Sequence, residues 1–305
     1  MRTIWLASYP KSGNTWFRML VANLRQEAPI DINDLPESGG IASARAWFDH
    51  TMLFDSGLLT HEECDVLRPL VYAEIKRNQM IEADEEDERT ARIGGTRFIK
   101  SHDAYTYNAD GTPLLGGLEG ADAAILVVRD PRDVAPSLAN HNRSTLDEAI
   151  AFMGRDAGFC THRDRQPNQL RQQLPTWGGF NASWLDQTDL PLKLVRYEDM
   201  QADVVGTFHE ALAFAGLDAT REEAEQAARF ADFGELKRQE TERGFREAPV
   251  ARAGGNFFRR GISGAWRDEL TPEQVARIEQ DHAAMMARLG YDLSITDTHE
   301  ERLAS

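Results

Sequence analysis

Four short apolar runs punctuate this chain, from Thr3 to Tyr9, Arg97 to Lys100, Ala123 to Val128 and Leu192 to Tyr197, and each closes on polar or turn-forming residues. Short continuous runs of this kind suit strands buried on both faces, the condition of a parallel sheet. After the first run, Trp16, Leu20, Val21 and Leu24 recur at helical spacing. Strand therefore alternates with helix, which predicts an α/β fold: a central, mostly parallel sheet flanked by helices.

Thr271-Pro272-Glu273-Gln274 has the form of a capped helix start, with threonine at the cap, proline at the first helical position and glutamine placed to close a capping box; Gly290 is the expected stop. Residues 211–229 read as two surface helices broken near Gly216-Leu217-Asp218 that pack on the sheet. The stretch of about 30–92 reads as an insertion of uncertain structure. It holds Gly39-Gly40 and the acidic run from Glu82 to Glu88, expected on a solvated surface. Residues 154–174 are polar and basic without a clear period. Nothing resembles a linker, so residues 1–305 are expected to form a single domain.

A formal net charge of -16 argues against nucleic acid, anionic membranes and polyanionic polymers as partners, so an anionic ligand must meet a local basic site. Cys64 and Cys160 are too few for a disulfide framework and too far apart for a metal knuckle. The first residues are too polar for a signal peptide, and no stretch has the apolar length of a membrane span. The expectation is a cytoplasmic protein without an integral membrane segment; its oligomeric state is left open.

Tyr9-Pro10-Lys11-Ser12-Gly13-Asn14-Thr15-Trp16 follows the first strand and opens a helix. Such a turn offers backbone N–H groups and the positive end of a helix to an anion. Lys11 adds charge, while Ser12, Asn14 and Thr15 add donors. The order of a Walker A loop is absent. A plain turn with a capping serine is the structural alternative. Arg129 ends the third strand, where ligands bind in open α/β sheets, and Ser137 lies two turns into the helix begun by Pro131. Together they could hold a phosphate, unless Arg129 merely pairs with Asp130 or Asp133. His102 follows Phe98-Ile99-Lys100-Ser101 and suits a general base, with a structural role as its alternative.

Taken in order, these segments resemble the PAPS-dependent sulfotransferase family, whose donor is 3′-phosphoadenosine 5′-phosphosulfate (PAPS). Tyr9 to Trp16 is similar to the family's 5′-phosphosulfate loop, Arg129 with Ser137 to its 3′-phosphate pair, and Lys100-Ser101-His102 to its catalytic Lys-Thr-His. Arg196-Tyr197-Glu198-Asp199-Met200 resembles the Tyr-Glu-Asp segment whose tyrosine approaches the adenine. Phe257 to Trp266 resembles the loop that closes on the 3′-phosphate through Arg259, Arg260 and Gly261. The resemblance implies Trp16 and Phe233 on either side of the adenine, Gly13 in the phosphate loop, His102 as base, Lys11 at the bridging oxygen, Lys100 as helper, and no metal. Ala265 stands where the family usually has aspartate.

The implied reaction moves a sulfuryl group to a hydroxyl or amine of a small or amphipathic acceptor. Trp47, Phe48, Met52, Leu53, Phe54, Leu58 and Leu59 could line a pocket over His102, or simply join the core. A P-loop kinase-like phosphotransferase and a catalytically silent nucleotide-binding module are the alternatives.

Overall fold

The computed structural model describes residues 2–35, 40–78, 93–155, 168–248 and 256–294. Its sheet has four strands, β1 (Arg2–Ser8), β2 (Thr96–Ser101), β3 (Ala123–Val128) and β4 (Leu192–Arg196). They are all parallel in the order β2-β1-β3-β4. Strand order reverses between β1 and β3, so the carboxyl ends of those two strands frame the crevice where such sheets bind ligands.

Successive residues feed two separate cores. Trp5, Ala7, Ala124, Leu126 and Val128 face a layer containing Phe48, Tyr72, Trp177 and Trp184. Ile4, Leu6, Ala123, Ile125 and Val127 face Phe17, Leu20, Phe208 and Leu212. Burial on both faces is why the strands read as unbroken apolar runs. The paired helices at Val204–Phe214 and Arg221–Phe230 belong to the second layer, as expected. The helix at Pro272–Arg288 starts in a capping box between Thr271 and Gln274, and Gly290 follows it with φ 75°.

The stretch expected as a surface insertion is different where it is described. It contains α2 (Arg45–Met52) and α3 (His61–Asn78), and Phe48, Cys64, Val71 and Tyr72 are core residues. The acidic run from Glu82 to Glu88 lies outside the described residues. Arg68 of α3 is fully buried and grips Asp103, with Nη1 to Oδ1 at 3.1 Å and Nη2 to Oδ2 at 2.6 Å. Its Nε donates to the Tyr72 hydroxyl at 2.9 Å, and the Gln173 N–H donates to Asp103 at 2.8 Å. Burial, only partly opposed by the Arg68 charge, pushes the Tyr72 phenol up to about 12. A charged residue thus joins α3 to the chain just after His102, because a buried charge needs a partner and full hydrogen bonding.

At the open side of β2, Gly40 and Ala42 hydrogen-bond both backbone groups of Lys100: the Lys100 N–H donates to Gly40 O at 3.1 Å, and the Ala42 N–H to Lys100 O at 2.7 Å. No helix among the described residues is long and apolar enough to cross a membrane. Cys64 is buried, and its thiol donates to the Ser56 carbonyl oxygen at 3.9 Å.

Candidate active site

A cavity of about 810 Å³ opens at the carboxyl ends of the strands. On its floor the turn after β1 is wound tightly: Lys11 has φ 70° and Gly13 φ 107°. A Cβ at Gly13 would lie 2.6 Å from the Tyr197 ring, so the close approach needs glycine as well as the positive φ. Asn14 starts α1 (Asn14–Ala22) and turns its Nδ2 back to Leu6 O at 2.9 Å and Ser8 Oγ at 3.2 Å. Lys11, Gly13, Asn14, Thr15 and Trp16 line the cavity. Ser12 does not; it is fully buried beneath the turn.

The Lys11 ammonium sits 3.6 Å above the Phe257 ring. Burial, then the charges of Lys100 and Arg129, pull its pKa down to about 7. Beside it, His102 Nδ1 is 2.7 Å from the carbonyl oxygen of Ser8. A carbonyl only accepts, so Nδ1 carries the proton and Nε2 is left bare, as a base requires. Burial, then the Lys100 charge, holds His102 at about 3, so the ring is neutral throughout the neutral range.

Lys100 meets a carboxylate that the sequence did not single out. Glu247 Oε2 is 3.5 Å from Lys100 Nζ, and its Oε1 accepts from Arg18 Nη1 at 2.6 Å. Burial raises the Glu247 pKa, but Lys100 and Arg18 outweigh it and bring it to about 2. Burial itself lowers Lys100. The basic lobe therefore carries its own counterion.

Arg129 does not pair with either neighbouring carboxylate. Asp130 is taken by Arg132 at 2.7 Å, and Asp133 accepts the backbone N–H groups of Gly264 at 2.6 Å and Trp266 at 2.9 Å. The Arg129 guanidinium instead lies 4.2 Å over the Tyr197 ring and donates to Ile262 O at 3.1 Å. Its Nε is buried without a partner among the described residues, an arrangement that suits an incoming anion. Ser137 lines the same wall.

Trp16 and Phe233 are brought together: Trp16 Nε1 donates to Ala231 O at 3.1 Å, two residues before Phe233. Phe233 lies against Gly261, where φ is 64° and a Cβ would fall 2.2 Å from the ring. Arg259, Arg260 and Gly261 line the cavity, and both arginines bind Glu269. A phosphate arriving at these arginines would have to compete with that carboxylate.

The apolar residues from Trp47 to Leu59 do not line the cavity. Phe48 is core, while Trp47, Met52 and Leu59 pack against it; Leu53 and Leu58 are more than four-fifths exposed. Of their two readings, the core contact holds for the buried ones. The sequence passed over Arg18, His141, Gln172 and Glu247 and weighed Asp133 only as a partner for Arg129; all five line the cavity. Only Asp133, three residues beyond Asp130 at a helix start, carried a local signal.

The sulfotransferase domain family has a model that matches residues 1–290. Cytosolic sulfotransferase 17 of Arabidopsis thaliana is 23% identical over 286 residues, covering 90% of this chain and 71% of that protein. The glycolipid sulfotransferase of Mycobacterium tuberculosis is 26% identical over 313 residues, covering 90% and 82%. A similar solved structure is mouse sulfotransferase SULT7A1 complexed with PAP, with TM-score 0.55 and 20% identity over 93% of this chain and 84% of that one.

Proposed function

Because the chain belongs to the sulfotransferase domain family, we propose that it transfers a sulfuryl group from PAPS to a hydroxyl or amine of a small or amphipathic acceptor. The observation that carries this reading is the bare Nε2 of His102, set in one cavity with Lys11, Lys100 and Arg129. His102 takes the acceptor's proton as the new S–O bond forms. Lys11 stabilises the bridging oxygen as it leaves on the 5′-phosphate, and Lys100 assists at the sulfuryl oxygens.

A base held at about 3 is weak. Donor charge beside Lys100 opposes its effect on His102, so the bound nucleotide itself strengthens the base. Arg129 and Ser137 are assigned to the 3′-phosphate, with Arg259, Arg260 and Gly261 above it. Trp16, Phe233 and Tyr197 serve the adenine, and Gly13, Asn14, Thr15 and the backbone of Ser12 serve the 5′ end. A small or amphipathic acceptor agrees with the glycolipid and luciferin sulfotransferases among the relatives. Two cysteines in 305 residues, too few for a disulfide framework, are in keeping with a cytoplasmic enzyme.

The nucleotide is expected to be recognised through its 3′-phosphate. Adenosine 5′-phosphosulfate, which lacks that group, should bind more weakly by at least about 1.5–3 kcal/mol, the worth of one hydrogen bond to charged Arg129. Equal affinities by calorimetry would remove PAPS from the reading.

Nucleotide affinity should also depend on pH. The Lys11 charge is present below pH 7 and is lost as pH rises through its pKa of about 7; an anion bound there raises that pKa. Adenosine 3′,5′-diphosphate (PAP) should therefore bind with proton uptake above pH 7, weakening by up to about tenfold per pH unit. Calorimetry in two buffers of different ionisation heat measures the uptake, and none would be seen if Lys11 stayed clear of the phosphate.

A further inference from the structure

The lining of the cavity holds a buried polar atom without a donor among the described residues. Gln172 is buried at 3% exposure and lines the cavity. Its Nε2 donates to Gln169 Oε1 at 2.8 Å, while its Oε1 is buried without a partner among the described residues. Because the amide nitrogen is committed to Gln169, the unpartnered end is the acceptor, which only an O–H or N–H can satisfy.

The position of this atom is fixed by the backbone around it. The Leu170 N–H donates to Ser43 O at 2.8 Å, and the Ala104 N–H to Gln173 O at 2.7 Å. The Gln173 N–H donates to Asp103 Oδ1 at 2.8 Å. Gln172 is thus held one residue from an anchor on Asp103, which itself adjoins His102. His141, from another wall of the same cavity, also has a buried Nδ1 without a partner among the described residues. The residues that could have made this wall greasy, Trp47 to Leu59, are elsewhere.

We propose that the acceptor is a polyol or glycoside in which a second hydroxyl, next to the one that is sulfated, donates to Gln172 Oε1. The inference rests on the sulfotransferase reading and names the acceptor class of that site. An alcohol or phenol with one hydroxyl gives that group to His102, and then covers Gln172 without a donor. A site built to bind a substrate hydroxyl discriminates against the analogue that lacks it, here by about 5- to 150-fold in kcat/KM.

The test uses labelled PAPS and matched acceptor pairs: 1-octanol with octyl β-glucoside, cyclohexanol with trans-1,2-cyclohexanediol, and phenol with 1,2-dihydroxybenzene. The wild-type enzyme should favour the second member of each reacting pair by about fivefold or more in kcat/KM. In Gln172→Leu and in the near-isosteric Gln172→Met that preference should collapse; a purely structural role would scale both members alike. PAP binding by calorimetry reports that each variant keeps its folded nucleotide site.

Equal kcat/KM within the pairs, an unchanged preference in both variants, or no sulfation of any pair by an enzyme that binds PAP would each overturn the proposal. If the wild-type protein neither binds PAP nor transfers label from PAPS, the sulfotransferase reading itself has failed and this inference goes with it.

Discussion

His102→Ala is expected to lower kcat by about 10²–10⁴ while PAP affinity stays close to that of the wild type. The imidazole is bound to the protein through Ser8, with Nδ1 at 2.7 Å from its carbonyl oxygen and 3.4 Å from its hydroxyl. Neither contact belongs to the phosphate-binding groups. Lys11, Arg129 and the helix start at Asn14 remain in the variant, so ground-state binding of the nucleotide survives. What is lost is the proton acceptor for the attacking hydroxyl. Single-turnover rates with saturating PAPS, set beside PAP calorimetry, separate the two quantities. Turnover near the wild-type rate would leave His102 as a structural residue, and equal losses in rate and affinity would place it in nucleotide binding.

Asp103→Ala should destabilise the fold by about 3–5 kcal/mol, seen as a lower midpoint of denaturant unfolding with little change in slope. The substitution leaves the fully buried Arg68 with Asp65, 3.5 Å away, as its one carboxylate partner among the described residues, and strips the Gln173 N–H of its acceptor. Arg243→Ala is the control. Its pair with Asp31 has both side chains at least one-third exposed and should count for less than about 1 kcal/mol. If the two variants unfold at the same midpoint, the Arg68–Asp103 pair is not the clasp described above.

Much of the fold could be read from the chain because the sheet is buried twice over. Ala123 to Val128 is apolar at every position, since neither face meets water. The helix at Pro272 was equally legible, as its capping box is written within four residues. Arg68 was not: an arginine on a helix that also carries Glu62, Glu63, Asp65 and Lys76 looks solvated, and only its partner 35 residues later makes it core. The site divides in the same way. His102 and Arg129 directly follow strands and Lys11 lies in the turn after one, so topology alone brings them together. Glu247 and Gln172 enter from distant loops, and their meeting with Lys100 and the His102 segment is a long-range event with no local pattern. For the residues from Trp47 to Leu59, apolar character alone left pocket lining and core contact equally open, and only the packing of Phe48 decides for the core.

The segment that covers β2 bears on how this protein behaves in a crowded solution. An outer strand with vacant backbone groups is a template on which another chain can build, and such strands begin edge-to-edge aggregation. Gly40 and Ala42 occupy both hydrogen-bonding groups of Lys100, so the outer edge is closed where it reaches the active site. Shortening this segment to enlarge the acceptor entrance would therefore uncover a sticky edge, and a loss of solubility would be the first sign that too much had been removed.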